Sequence, residues 1–254
     1  MDTDLAFALE LADAADRIAL RRFRASDLVV DTKPDLTPVT EADRSVEEKV
    51  RELLAEACPS DSVLGEELGA SGASTGRRWI VDPIDGTKSY ARGIPVWATL
   101  IALERDGELS VGVVSAPALG SRWWGTRDGG AFRDGEAVTV SKVASIEDAH
   151  LAFDAPRDFE AVGRGDAFLA LARRCWRSRG FGDFWQYVMV ADGSIDIAVE
   201  PNGLALWDLA APMVIVEAAG GRFTDLDGVP RADGGNALAT NGLLHDEVLE
   251  ALAP

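Results

Sequence analysis

The chain has 254 residues, of which 47% are hydrophobic, so it can bury a substantial core as one large domain or two joined lobes without disulfide bonds. Its formal net charge of −18 disfavours binding to nucleic acid, because neutralising backbone phosphates requires clustered lysines and arginines. The N-terminus has no basic leader, and no apolar run approaches the roughly 20 residues of a membrane span. We therefore expect a soluble cytoplasmic protein that does not bind membranes, and the distant cysteines Cys58 and Cys175 suit a reducing compartment.

Helices are predicted in the N-terminal quarter of the chain. Apolar side chains recur at helical spacing from Leu5 to Ala19, with aspartates and arginines between them. The same spacing recurs from Val46 to Ala57, where the turn-forming segment 59–62 (PSDS) follows. We expect two amphipathic helices in this region.

The middle of the chain is predicted to be rich in β-structure. Segment 79–81 (WIV) is typical of a short buried strand, and segments 96–103 and 109–114 indicate a hairpin around the turn 105–107 (RDG). Beyond about residue 145, helical and strand patterns alternate. The helical patterns are 168–176, 209–219 and a last C-terminal helix, and the strand patterns are 195–199 and 237–240.

This change of pattern predicts the fold class and the domain organisation. An α+β N-terminal half is followed by an α/β C-terminal half, without a flexible linker between them. The boundary falls near residues 141–145. We therefore expect an α+β lobe formed by residues 1–143 and an α/β lobe formed by residues 144–254.

The strongest chemical signal is segment 82–87 (DPIDGT), which follows the predicted strand. Asp82 and Asp85 lie three residues apart with a proline between them, so their carboxylates can converge on a hard cation, which prefers oxygen ligands. Gly86 permits a tight turn that brings backbone amides close to an anion. The alternative is a surface turn, which the segment taken alone favours, since Asp, Pro and Gly are common turn residues.

Two further acids could complete a metal site. Glu66 follows an apolar step in segment 63–67 (VLGEE), and Asp208 lies inside the apolar run 206–211 (LWDLAA). A helix cap is the commoner explanation for an acid such as Asp208. Together with the two acids of the DPIDGT segment, however, these residues would supply the ligands of a two-metal site that clamps the attacking and leaving oxygens of a phosphate ester.

In order, residue type and spacing, GEE, DPIDGT and WDLAA resemble the three signature segments of the inositol monophosphatase family. Segments 35–43 and 217–221 extend the resemblance over nearly the whole chain. The resemblance implies a layered αβαβα architecture of the sugar-phosphatase type and a homodimer. It also implies Mg²⁺-dependent hydrolysis of a small phosphorylated metabolite by a metal-activated water, without a covalent intermediate.

The resemblance implies two or three Mg²⁺ ions and assigns their ligands. Glu66, Asp82 and the carbonyl of Ile84 would hold one ion. Asp82, Asp85 and Asp208 would hold another, so that Asp82 bridges the two. The lobe formed by the first 143 residues would then bind metal and phosphate, and the second lobe would contribute the last ligand and the substrate pocket.

The catalytic residues implied by the resemblance are Thr87, Asp43 and Glu66. The hydroxyl of Thr87, oriented by Asp43, would position and deprotonate the attacking water, while the phosphate would rest on the amides of Gly86 and Thr87. Thr40 and Asp43 also have the spacing of a helix capping box. A structural role and a catalytic role for Asp43 therefore stand side by side.

Segment 180–187 (GFGDFWQY) corresponds to the part of the family that faces the non-phosphate side of the substrate. It has Gly182 and Asp183 where inositol phosphatases usually have small neutral residues, and in this it is similar to the histidinol-phosphatases of the family. L-Histidinol phosphate, a precursor in histidine synthesis, carries an ammonium and an imidazole, with which a carboxylate can form charge-assisted hydrogen bonds. The alternative is that Asp183 caps a helix. The substrate-binding residues implied are Asp85, Gly86, Thr87, Gly182, Asp183, Glu200 and Asp208.

The position of Glu200 departs from the family pattern, because segment 201–203 (PNG) adds one residue before Asp208. Other family substrates, such as inositol monophosphate or a sugar phosphate, and a non-catalytic cation-binding protein remain alternatives. Segment 225–229 (DLDGV) resembles the nucleophile motif of haloacid-dehalogenase phosphatases, but fewer than 30 residues follow it, so we interpret it as a turn. His150 and His245 have no partner at catalytic spacing and are predicted to be structural.

Overall fold

A computed structural model describes residues 3–33, 38–73 and 76–253 of the chain. Asp35, where one segment of the family resemblance begins, lies outside these residues. Among the helices of the described residues, none is both long enough and apolar enough to cross a membrane.

The helices within these residues are α1 (Thr3–Arg22), α2 (Glu41–Ala57), α3 (Thr87–Ala91), α4 (Pro156–Ala161), α5 (Gly165–Arg174), α6 (Asp183–Ala191), α7 (Leu206–Ala218) and α8 (His245–Ala251). The strands are β1 (Val30–Thr32), β2 (Pro38–Thr40), β3 (Ser62–Gly65), β4 (Gly69–Ser71), β5 (Arg77–Asp85), β6 (Ala98–Arg105), β7 (Glu108–Ala116), β8 (Ser121–Thr126), β9 (Gly130–Arg133), β10 (Glu136–Val138), β11 (His150–Phe153), β12 (Arg177–Gly180), β13 (Ile197–Glu200), β14 (Arg222–Thr224) and β15 (Ala237–Thr240). A 3-10 turn, Ile146–Asp148, precedes β11.

The larger sheet has eight strands in the order β10-β9-β8-β7-β6-β5-β3-β4. Neighbouring strands are antiparallel except β3 and β5, which run parallel. This parallel pair brings the carboxyl ends of two strands to one edge of the sheet. Glu66, directly after β3, and Asp82, near the end of β5, therefore lie at the same edge.

The smaller sheet has five strands in the order β12-β11-β13-β15-β14. Strand β11 runs parallel to β12 and β13, whereas β15 is antiparallel to β13 and to β14. The sheet is mixed because β14 is joined to its neighbour β15 by a connection that reverses the chain direction. Strands β1 and β2 form a separate antiparallel pair.

Alternating apolar side chains along β5 explain the order of the layers. Trp79 and Val81 pack in a cluster with Leu11 of α1 and Val46 of α2. Ile80 points to the opposite face of the sheet, because side chains of a strand alternate between faces, and it packs in a cluster with residues of α6 and α7. The far face of the smaller sheet packs on α4, α5 and α8. The fold is therefore the layered αβαβα architecture that the family resemblance implied.

The predicted elements are present, but several of their bounds differ. Helix α2 begins at Glu41, five residues before the predicted pattern, because Thr40 caps it there. Pattern 168–176 runs past the end of α5 at Arg174 and almost reaches β12. Strands β8 to β12 had no predicted counterpart, because much of their sequence is polar or small, as in β12 (RSRG).

The division into two lobes at residue 143 stays a prediction. The apolar cluster between the sheets contains residues from both sides of that boundary, such as Val114 of β7 and Ile215 of α7. Helix α7, from the C-terminal half, thus packs directly on the larger sheet of the N-terminal half. This packing places Asp208, in the first turn of α7, near the carboxyl ends of β3 and β5.

Candidate active site

Strand β5 ends in a β-bulge that contains the two acids of the DPIDGT segment. Asp82 lies opposite Leu100 of β6. Asp85 lies opposite Ala98, so β5 uses one residue more than β6 over this stretch. Such an extra residue bends the strand and redirects its side chains. Within the bulge, Oδ1 of Asp82 accepts a hydrogen bond from the amide of Ile84 at 3.0 Å.

A left-handed glycine connects the bulge to α3. Gly86 has φ +82°, a conformation that side chains with a Cβ rarely adopt. A Cβ at this position would also lie 3.0 Å from the carbonyl oxygen of Val96 and 3.2 Å from Oδ2 of Asp183. The backbone at Gly86 is therefore close to a carboxylate of α6, and Thr87 begins the helix immediately after it.

The structure brings Asp82, Asp85 and Asp208 together. One carboxylate oxygen from each lies within 4.8 Å of the others. Asp208 reaches this position from the first turn of α7, where its Oδ2 accepts the amide hydrogen of Ala205 at 2.6 Å. Helix capping and membership of the acidic trio, which were alternatives in the sequence, therefore occur together in Asp208.

The electrostatics of this trio favour a bound cation. Burial, followed by repulsion from neighbouring acids including Glu66, raises the pKa of Asp82 well above its ordinary value, and burial with nearby acids does the same for Asp85. Burial raises the pKa of Asp208 to about 7, although the amide of Ala205 opposes this. A donor set made only of carboxylate oxygens that repel one another fits a hard divalent cation, which would relieve the repulsion.

Glu66 lies beside Asp82 but is paired with a lysine. Its amide donates to the carbonyl of Val81 at 3.2 Å, which fixes the backbone next to β5. The ammonium of Lys33 lies 2.7 Å from Oε1 of Glu66 and 2.6 Å from Oε1 of Glu67. Burial alone would lower the pKa of Lys33, but these two carboxylates raise it above its usual range. The ammonium of Lys33 thus compensates the negative charge of Glu66, a predicted metal ligand.

Thr87 and Asp43 are in direct contact. Oγ1 of Thr87 lies 3.1 Å from Oδ1 of Asp43 and 2.9 Å from the carbonyl oxygen of Ile84. The other carboxylate oxygen of Asp43 accepts the amide of Thr40 at 2.8 Å and its hydroxyl at 2.5 Å. The capping box is therefore formed by Oδ2, which leaves Oδ1 for Thr87. Burial raises the pKa of Asp43 above its ordinary value.

Helix α6 links the substrate-side segment to the acidic trio. The amide of Phe184 donates to Oδ2 of Asp85 at 2.5 Å. Asp183 has φ +49°, and burial, reinforced by Asp154, raises its pKa to about 6. The N-cap position of α6 is Gly182 and Asp183 is the first residue of the helix, so the alternative that Asp183 is the helix cap is wrong.

Glu200, at the end of β13, is only 5% exposed. Its carboxylate accepts hydrogen bonds from Nε2 of Gln186 at 2.6 Å and from the hydroxyl of Tyr187 at 3.1 Å. Burial, followed by the charges of Asp154 and Asp183, raises its pKa well above its ordinary value. Glu200 is therefore held by two side chains of α6, on the same side of the site as Asp183.

A cleft of about 290 Å³ lies beside these residues. Its charged lining outside the trio consists of Lys88, Asp154, Arg157, Asp158, Asp183 and Glu200. Four of these six side chains are acidic, so the cleft would favour a ligand that carries positive charge in addition to a phosphate held by metal.

The similarity to known proteins extends over nearly the whole chain. A protein-family model described as the inositol monophosphatase family matches residues 1–253. The chain belongs to the inositol monophosphatase family. It is 55% identical over 254 residues to a histidinol-phosphatase of Mycobacterium tuberculosis, covering 98% of this chain and 97% of that relative. It is 54% identical over 256 residues to a histidinol-phosphatase of Streptomyces coelicolor, covering 97% and 95%.

The fold is similar to that of solved members of the family. A structure of an IMPase from Thermotoga maritima superposes with a TM-score of 0.89 at 31% identity, covering 99% of this chain and 97% of that one. Membership of the inositol monophosphatase family makes the chain a metal-dependent phosphoric monoester hydrolase.

Sequence reasoning missed part of the cleft. Asp154, Arg157 and Asp158 follow β11, a four-residue strand that the sequence analysis did not predict. Their position opposite the inositol monophosphatase signature segments was therefore not expected. Lys88 could have been found, because it directly follows the DPIDGT segment. Asn202, in the PNG insertion, also lines the cleft.

Proposed function

We propose that this enzyme hydrolyses L-histidinol phosphate to L-histidinol and phosphate, with Mg²⁺ as its cofactor. One observation carries the choice of substrate. The carboxylate of Asp183 lies beside Gly86, 3.2 Å from the position that a Cβ would take there, within a mainly acidic cleft. An ammonium or imidazolium group next to a phosphate ester is complementary to that arrangement.

The cation sites follow the residues that the family resemblance indicates. Asp82, Asp85 and Asp208 would hold one ion, and Glu66, Asp82 and the carbonyl of Ile84 would hold another. Lys33 is paired with Oε1 of Glu66, so a cation would bind through Oε2 or displace the ammonium from Oε1. Bound Mg²⁺ would lower the pKa of a water ligand and stabilise charge that develops on the phosphate and the leaving oxygen.

Thr87 and Asp43 would accept the proton of the attacking water. The Thr87 hydroxyl has two acceptors within reach, Oδ1 of Asp43 and the carbonyl of Ile84, but only one proton to donate. When it donates to Asp43, its oxygen is free to accept a hydrogen bond from water. The raised pKa of Asp43 makes that carboxylate a stronger base, so it would take the proton through Thr87 as the water attacks phosphorus.

The substrate is tested by measuring kcat/KM with Mg²⁺ for L-histidinol phosphate and myo-inositol 1-phosphate side by side. We expect a preference of about a hundredfold or more for histidinol phosphate, near 3 kcal/mol of differential transition-state binding. A reversed preference would favour an inositol monophosphatase, the activity suggested by the solved IMPase fold, and equal turnover would favour a broad-range sugar phosphatase of the same family. Turnover of neither ester would contradict all three activities.

Two further proposals concern the state of the enzyme in the cell. We propose a homodimer, which the family resemblance supports, and a mass of one subunit by light scattering would contradict it. We also propose a cytoplasmic enzyme of histidine biosynthesis. Its two cysteines, Cys58 and Cys175, are both free thiols, as expected in a reducing compartment.

A further inference from the structure

The turn that carries Glu66 rests on a buried carboxylate of α2. Glu47 is 0% exposed. Its Oε2 accepts the amide hydrogen of Glu67 at 2.7 Å, and its Oε1 accepts that of Leu68 at 3.2 Å. The two residues that follow the proposed metal ligand are therefore bound through their backbone to a single side chain. Sequence reasoning gave no role to Glu47.

Arg51, one helical turn after Glu47, holds the Glu47 carboxylate and the strand that follows the turn. Its Nε donates to Oε1 of Glu47 at 2.8 Å, which compensates the buried negative charge. Its guanidinium also donates to Oγ of Ser71 at 2.5 Å and to the carbonyl of Gly69. The strand that follows the Glu66 turn, β4, is thereby tied to the same helix as the turn itself.

The residue before Glu66 is a glycine for a steric reason. Gly65 ends β3, and a Cβ added there would lie 2.1 Å from Oε1 of Glu47. The backbone conformation of Gly65 lies outside the left-handed region that favours glycine. Only the missing side chain therefore allows the carboxylate to fit beneath the turn.

We propose that Glu47 is a positioning residue of the metal site, which sets the direction of the Glu66 carboxylate by holding the backbone around it. Glu47 contacts the backbone of the turn, so it acts through Glu66. This inference rests on the metal-dependent function proposed above. Residues that orient metal ligands typically affect metal affinity by 10- to 100-fold when they are changed.

The test measures metal binding independently of turnover. Mn²⁺ is titrated into the metal-free enzyme and free Mn²⁺ is followed by electron paramagnetic resonance, for wild type, Glu47→Gln and the control Glu48→Gln. Glutamine has only one oxygen and presents an NH₂ group to the remaining donors. We expect Glu47→Gln to bind Mn²⁺ about tenfold more weakly, while the exposed neighbour Glu48→Gln binds like wild type.

Two readouts separate positioning from general stability. Thermal unfolding without metal reports folding, and the Mg²⁺ concentration for half-maximal activity should rise about tenfold in Glu47→Gln, with a smaller loss of kcat at saturating Mg²⁺. A lowered Tm with unchanged Mn²⁺ affinity would overturn the proposal. Failure of wild type to bind Mn²⁺ would overturn the metal site itself, and with it the role of Glu47.

A second variant carries the same comparison if Glu47→Gln does not fold. Gly65→Ala leaves the charge of Glu47 in place but forces its carboxylate away from the turn. We expect a similar loss of Mn²⁺ affinity. Where Glu47→Gln does fold, the double variant should lose less Mn²⁺ affinity than the product of the two single effects, because both changes disturb one contact. Wild-type affinity in Gly65→Ala would contradict the proposal.

Discussion

The hydroxyl of Thr87 lies 3.1 Å from Oδ1 of Asp43, a residue of a different helix. The same Asp43 side chain caps α2 through its second oxygen. One carboxylate thus joins the start of α2 to the start of α3. Its structural and chemical roles use different atoms, so they can be separated by mutation.

Asp43→Asn should lower kcat about a hundredfold or more and change KM little, because asparagine cannot take a proton from Thr87. Thr40→Ala removes the hydroxyl of the capping box but leaves the base. It should cost about 1 kcal/mol of unfolding free energy and retain most activity. Steady-state kinetics and thermal unfolding of both variants check this. Equal loss of activity in the two would indicate that Asp43 acts only as a cap.

Asp82→Asn should change activity and metal-free stability in opposite directions. Loss of the bridging ligand should lower kcat by about a thousandfold, or ~4 kcal/mol of transition-state stabilisation. Without metal, Tm should rise, because a buried charge that neighbouring acids repel is removed. Glu56→Gln, exposed on α2, is the charge-matched control. Near-normal turnover by Asp82→Asn would refute the two-metal assignment.

The stabilisation by Mg²⁺ should depend on pH. The pKa of Asp208 is raised from 3.8 to about 7, so in this window the folded metal-free protein holds a proton that the unfolded chain has lost. Metal-free stability therefore falls as pH rises through the window. A cation must displace the proton at pH 6 but not at pH 8. The increase in Tm caused by a fixed Mg²⁺ concentration should be larger at pH 8, and a pH-independent increase would contradict this.

Asp183→Asn should reduce kcat/KM for L-histidinol phosphate at least tenfold, about 1.4 kcal/mol, and reduce it much less for a neutral ester such as inositol 1-phosphate. The reason is that asparagine fits the same space beside Gly86 but lacks the charge. Asp166→Asn, exposed on α5, should leave both values unchanged. An equal loss of kcat/KM for both esters would mean that Asp183 supports the structure of the site but does not discriminate between substrates.

His245 should make the protein sensitive to acid. It is fully buried between the hydroxyls of Thr224 and Thr240, and burial lowers its pKa from 6.5 to about 4. A histidine with a lowered pKa contributes stability above pH 6.5 that is lost as pH falls towards 4. His245→Leu should be less stable at pH 7 but lose less Tm between pH 7 and pH 5. Parallel pH profiles of wild type and variant would exclude this role.

The sequence alone determined the features that depend on near neighbours in the chain. The spacing of apolar residues indicated α1, α2 and the β6–β7 hairpin, because periodicity reports which face of an element is buried. The DPIDGT segment indicated a turn with two acids after a strand. Together with the GEE and WDLAA segments, it indicated the inositol monophosphatase family, and the family resemblance implied the layered fold.

Only the tertiary structure decided which distant residues meet. Asp208 joins Asp82 and Asp85 because α7 packs across the larger sheet, and local spacing carries no information about that crossing. Likewise, the packing of α6 brings Asp183 close to Gly86, and the packing of α2 places Glu47 under the Glu66 turn. A carboxylate in the sequence has the same chemistry wherever it lies. Burial, neighbouring charges and the amides that reach it are set by packing, and these decide what it can do.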